Sequence, residues 1–159
     1  MSAFTLDTGE CHAALEGLQK CVSINTVSGI GPDGGYDEFV AWLQKEMQKN
    51  GVERCWVLPE SLPGKPILVA TILGTKPELP QVLLNAHYDV VPVVQSEWTV
   101  PAFEGLRKDG KVYGRGTQDM KCALMGYVYS IKKLLSTGFV PTRTIHLSFV
   151  RTLRSILLF

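Results

Sequence analysis

One histidine and two aspartates have the types and placing to do metal chemistry. His87 and Asp89 stand two apart in VLLNAHYDVVPV, residues 82–93, a stretch otherwise almost wholly apolar. An imidazole at the end of such a strand can give a nitrogen lone pair to zinc, and a carboxylate beside it can hold the other ring nitrogen and fix its tautomer. Side chains at i and i+2 of a strand share a face, so the pair also reads as a structural hydrogen bond. Asp119 lies in YGRGTQDMK, residues 113–121, where two glycines let the backbone pass close to a ligand and a helix start favours a carboxylate. As a structural residue, Asp119 is a helix-capping acid, a role Thr117 could fill equally.

Strands must hold the first pair and a helix the second. CWVLP, PILVATILG and QVLLNAH are short, rich in β-branched residues and separated by proline and glycine breakers, which predicts three strands. RTIHLSFV, residues 143–150, predicts another. Three helices are predicted from apolar periodicity: Glu10 to Val22, a run from Phe39 to Met47 ending at Asn50-Gly51, and Asp119 to Thr137 with Gly138 as its stop. Strands bracketing the third helix imply a crossover and at least partly parallel pairing, hence an α/β class. Ligands in open sheets of that class sit beyond the carboxyl ends of the strands, where His87 and Asp89 fall. His146, inside TIHLSFV, is assigned to the sheet or core, and His12 has no partner visible in the sequence.

Composition narrows the function. At 159 residues and 45% hydrophobic content, the chain suits one domain that buries about two-thirds of its unfolded surface. A net charge of +1 gives no bulk reason to expect nucleic acid or an anionic membrane as partner. The nearest candidate for a basic face, Lys132 and Lys133, reads as a solvated helix face. No run approaches the roughly 20 apolar residues of a membrane span. The four cysteines form no CxxC pair and the start of the chain has no apolar leader core, which predicts reduced thiols in the cytoplasm. The loop SGIGPDGGYDE lacks the strand and the Lys-Ser/Thr pair of a phosphate cradle, and GRGTQD lacks the strand-then-glycine arrangement of a dinucleotide site.

LLNAHYDVVPV, WTVPAF, DGKVYGRGTQDMK and RTIHLSFV, in this order, resemble the N-terminal part of the zinc metallopeptidase family that includes acetylornithine deacetylase and succinyl-diaminopimelate desuccinylase. Gln-Asp-Met-Lys together with Asp-Val-Val-Pro-Val points to its aminoacylase branch. The resemblance implies part of an exopeptidase-like catalytic domain over residues 1–150, with a mixed, mostly parallel sheet flanked by helices. It implies that His87 binds one zinc, that Asp89 orients the imidazole as a catalytic residue, and that Asp119 bridges two zinc ions. It further implies a cis peptide between Asp119 and Met120, and a loop beside the site carrying Trp98, Pro101 and Phe103. Two zinc ions so held lower the pKa of a bound water while a glutamate takes its proton, which hydrolyses an N-acyl-L-amino acid.

After the last strand the family continues Pro-Asp-Glu-Glu, supplying the general base and a zinc ligand, whereas this chain reads Arg151, Thr152, Leu153, Arg154. Leucine takes no proton, and a guanidinium repels a metal cation. No Asp or Glu follows Asp119. Residues 151–159 are therefore expected to be a non-matching tail, with the family's lid domain, and the homodimer contact it makes, absent. The expectation is an inactive 159-residue form with weak zinc binding at most; the alternative is a non-catalytic chain that binds a partner through an uncovered sheet edge.

Overall fold

The computed structural model describes residues 8–29, 34–58 and 64–151. Helices α1 (Thr8–Ser23) and α2 (Tyr36–Lys49) come first, then strands β1 (Cys55–Leu58), β2 (Ile67–Ile72) and β3 (Val82–His87). A hairpin of β4 (Leu106–Lys108) and β5 (Lys111–Tyr113) precedes α3 (Cys122–Ser136), and β6 (Ile145–Val150) follows. Thr152, Leu153 and Arg154, the apolar end of the tail, and residues 30–33 of the glycine-rich loop lie outside the described residues.

Local chemistry sets these boundaries. Helix α2 buries Phe39, Val40, Leu43 and Met47 at helical spacing and starts after Gly35, which adopts φ 64° and where an added Cβ would stand 2.3 Å from the Asn25 carbonyl oxygen, leaving no room for a side chain. Gly51, at φ 88°, follows its end, and Gly138, at φ 74°, follows α3. Helix α1 meets α3 at Gly17, where an added Cβ would stand 2.6 Å from the Tyr129 hydroxyl. The same helix pair is tied by Lys133, whose Nζ donates to Glu10 Oε1 at 2.7 Å and Oε2 at 2.9 Å. Lys133 is thus an inter-helix clamp and not merely part of a solvated face. His12 has a partner too: Glu16, one turn on, 3.2 Å away.

The main sheet has the order β1-β2-β6-β3. It is mixed, but β3–β6 is its one parallel pairing among the described strands, while β1–β2 and β2–β6 are antiparallel. The mostly parallel balance expected above does not hold over this part of the sheet. Only the β3–α3–β6 path has a crossover helix, which returns the chain in the same direction; the short β1–β2 connection reverses it. Helices α1, α2 and α3 pack on one face, against Leu68, Ala70, Ala86, Leu147 and Phe149. Strand alternation turns Val69, Thr71, His146, Ser148, Leu83 and Asn85 to the opposite face, which no described helix covers. There His146 bonds Thr71 Oγ1 through Nδ1 at 2.9 Å and Gln81 Oε1 through Nε2 at 2.8 Å, a sheet histidine as assigned. No helix among the described residues is long and apolar enough to cross a membrane.

Candidate functional site

Strand β3 ends at His87, and the chain is fixed immediately beyond it. Tyr88 is fully buried; its N–H donates to the Val150 carbonyl at 2.9 Å, its hydroxyl to the Pro66 carbonyl at 2.7 Å, and its ring stacks on Phe39 at 5.1 Å. Val90 then pairs in parallel with Val27, and Thr26 Oγ1 donates to the Tyr88 carbonyl at 2.6 Å. With Tyr88 buried between them, His87 and Asp89 turn together to the other side.

The loop before α3 brings Asp119 to this place. Gly116 adopts φ 82°, and a Cβ there would stand 2.3 Å from Val90 Cγ1, so only glycine lets the loop close on the strand end. Asp119 (φ −119°, ψ 95°) and Met120 (φ −134°, ψ 34°) are not helical, and the peptide between them is cis. The regular helix therefore begins at Cys122, three residues later than periodicity predicted. Thr117 does not cap it: its hydroxyl donates to the Gly114 carbonyl at 2.9 Å. Met120 Sδ accepts from the His87 N–H at 3.4 Å, and Lys121, fully buried, donates from Nζ to the carbonyls of Cys21 (2.8 Å) and Ile24 (3.0 Å). Lys121 thereby satisfies carbonyls at the end of α1 and ties the Asp119 loop to that helix. Burial pulls its ammonium down to about 8.

His87 stands between the two aspartates. Its Nδ1 lies 3.3 Å from Asp89 Oδ1 and 3.1 Å from the Asp89 carbonyl, and its Nε2 lies 3.0 Å from Asp119 Oδ1. The Asp89 hydrogen bond pushes the imidazole above its ordinary range, burial opposes this, and Asp119 adds to the upward push. Asp89 is buried, whereas the Asp119 side chain is 74% exposed and faces an open cavity of ≈ 310 Å³. Ser28, Arg115 and Gln118 share that cavity.

The donors fit zinc in kind: an imidazole nitrogen and a carboxylate oxygen meet, with the other ring nitrogen held by a buried carboxylate. They fall short in number. Asp89 lies behind the ring, so two donors converge, and no group of three or more His, Cys, Asp or Glu side chains among the described residues is placed to hold a metal.

Sequence reasoning passed over Arg115 and Ser28; the one signal for Arg115 was its place between Gly114 and Gly116. Of the three loop residues named above, Trp98 lies against Arg115, its ring centroid 5.1 Å from the guanidinium carbon, while Phe103 is half-buried and Pro101 exposed.

Known proteins share this arrangement of sequence and fold. Residues 83–151 match Peptidase family M20/M25/M40. Aminoacylase-1 of Sus scrofa is 38% identical over 140 residues, covering 87% of this chain and 33% of that protein. The chain therefore spans about a third of the length of the curated relative it matches. An M20 family metallo-carboxypeptidase from Sulfolobus solfataricus superposes with a TM-score of 0.73 at 27% identity, over 91% of this chain and 30% of its own. A di-peptidase from Saccharomyces cerevisiae gives 0.77 at 19% identity over 92% and 33%, a likeness of fold alone. In sequence and fold the chain is thus similar to the M20 peptidases over the part compared, and its similarity to aminoacylase-1 spans about a third of that protein.

Proposed function

We propose that this chain carries the first part of a zinc-dependent amidohydrolase of aminoacylase type, acting in the cytoplasm on N-acyl-L-amino acids. In this reading His87 Nε2 and Asp119 would hold zinc, and Asp89 fixes the imidazole tautomer from behind. The observation that carries it is His87 held between Asp89 and Asp119 at the carboxyl end of β3, within 3.3 Å of each carboxylate. Bound metal would supply a water of lowered pKa and polarise the amide carbonyl. The chain's own residues do the rest of what is visible: Asp89 keeps Nε2 as the free donor, Gly116 closes the loop, and Lys121 anchors it.

No carboxylate follows Asp119 to serve as general base, so the 159-residue chain alone is expected to turn over no substrate. Loss of general-base catalysis costs about 10²- to 10⁴-fold, and two donors are fewer than zinc sites use. The test joins the chain after Val150 to the remaining portion of pig aminoacylase-1 and measures hydrolysis of N-acetyl-L-methionine. The joined protein is expected to be active, with activity lost in His87→Ala and Asp119→Ala. Full activity in either variant would remove the assignment. A second reading, a non-catalytic chain that binds a partner, is favoured by one observation: Leu83 of the edge strand β3 is 64% exposed on the uncovered face.

A further inference from the structure

The two outer strands of the main sheet are finished differently. On β1 the Gln44 side chain covers an acceptor, its Nε2 donating to the Cys55 carbonyl at 2.9 Å, and the exposed, charged Glu53 and Arg54 stand at the strand's entrance. Strand β3, at the other edge of the described sheet, has no such block: VLLNAH contains no Lys, Arg, Asp, Glu or Pro. Its backbone groups alternate in use. The Val82 N–H donates to the Thr144 carbonyl at 3.0 Å and the Tyr88 N–H to the Val150 carbonyl at 2.9 Å, so the even-numbered residues bond β6. Parallel pairing then turns the N–H and C=O groups of Leu83, Asn85 and His87 outward. Met120 Sδ takes the His87 N–H at 3.4 Å, which closes that end of the edge. The backbone groups of Leu83 and Asn85 have no partner on the outer side among the described residues. An uncharged edge with open donors and acceptors is a template for another strand.

We propose that a second copy of this chain fills this gap, β3 pairing antiparallel with its own counterpart about a two-fold axis at Leu84. The proposal rests on the partner-binding reading of the edge strand, to which it assigns one partner, and needs neither metal nor catalysis. The strand is self-complementary in this register. Leu83 faces Asn85 of the second copy and Asn85 faces Leu83, so the outward residues of both chains form hydrogen-bonded pairs, each exchanging two N–H···O bonds. Between them Leu84 meets its counterpart in a non-hydrogen-bonded pair, with Cα atoms about 4.5 Å apart. Val82 then faces Ala86, and no like charges meet anywhere along the contact. Leu83, 64% exposed in the single chain, lies diagonally across from its counterpart on the uncovered face, within reach of it. A two-fold contact uses each β3 edge once and closes as a dimer, whereas pairing β3 with β1 would grow an open chain. The Gln44 cover and the charges beside β1 oppose that second arrangement.

The experiment combines sedimentation velocity of the 159-residue chain over a wide range of concentration with site-directed cross-linking. The wild type is expected to show a reversible monomer–dimer equilibrium. Asn85→Pro deletes an outward donor and spares the bonds to β6, so it should raise the dissociation constant about tenfold, whereas Asn85→Ala keeps the N–H and should dimerise as the wild type does. In a chain carrying Cys11→Ser and Cys122→Ser, Leu84→Cys should form an intermolecular disulfide with oxidised glutathione. Leu83→Cys should not, because its counterpart lies about 7–8 Å away, beyond disulfide reach. A monomer at every concentration overturns the proposal while sparing the wider partner-binding reading. A dimer that Asn85→Pro leaves unchanged, cross-linking through Leu83 in place of Leu84, or growth into open polymers overturns it as well. If Asn85→Pro loses the wild-type circular dichroism, Leu83→Glu at the exposed position decides: an undiminished dimer overturns the proposal, and a monomer upholds it.

Discussion

At the scale of residues, the environment of each group decides its chemistry. His87 reaches a carboxylate from each ring nitrogen, and the two carboxylates differ in kind: Asp89 is buried and Asp119 largely exposed. In the proposed reading that asymmetry would leave one side of the imidazole for structure and the other for a ligand. The thiols divide in the same way. Burial pushes Cys21 up to about 12 and Cys55 up to about 11, whereas Cys11 and Cys122 are exposed. The thiolate is the reactive form, so iodoacetamide at pH 8 is expected to alkylate Cys11 and Cys122 in the native protein and to spare Cys21 and Cys55 until unfolding. Mass spectrometry of the labelled peptides checks this, and rapid native labelling of Cys21 would contradict the packing of α1.

At the scale of elements, the site depends on packing beneath it. Phe39 of α2 is fully buried, stacks on Tyr88 at 5.1 Å and lies 5.2 Å below the Lys121 ammonium, so one ring supports both strand end and loop. Phe39→Ala is expected to destabilise the fold by about 3–5 kcal/mol, read from the urea midpoint. Helix α2 was legible in the sequence because its buried face imposes a regular apolar period, and strand β3 because a short apolar run stands between breakers. The hairpin β4–β5 escaped because three-residue strands show no period, although Asp109-Gly110, at φ 52° and 72°, is a hairpin turn signal. The start of α3 was misplaced because periodicity does not register a local break at Asp119 and Met120. Spacing suggested a partnership of His87 with Asp89, two residues away. It could not reveal the contact with Asp119, which is made by tertiary closure over 32 residues and was expected only through family resemblance. Arg115 stayed hidden for the same reason, since its meaning lies in Trp98 and the cavity.

At the scale of the whole molecule, one face of the sheet is covered by three helices and the other by none among the described residues. Trp56 is 50% exposed and Leu83 64%, and β3 is an edge strand with no charged residue from Val82 to His87. Edges of this kind invite pairing unless a charge blocks them. Leu83→Lys is therefore expected to lower the concentration-dependent association of the chain in sedimentation velocity, with the helical content unchanged. Equal association of variant and wild type would show that this edge is not the contact surface.

The most direct test of the central claim, that His87 and Asp119 act together on a metal, is a zinc titration of the 159-residue chain by isothermal calorimetry. The wild type is predicted to bind zinc weakly, His87→Ala and Asp119→Ala each to lose that binding, and His146→Ala, altered at the sheet histidine, to keep it. Wild-type zinc affinity in both His87→Ala and Asp119→Ala would contradict the account.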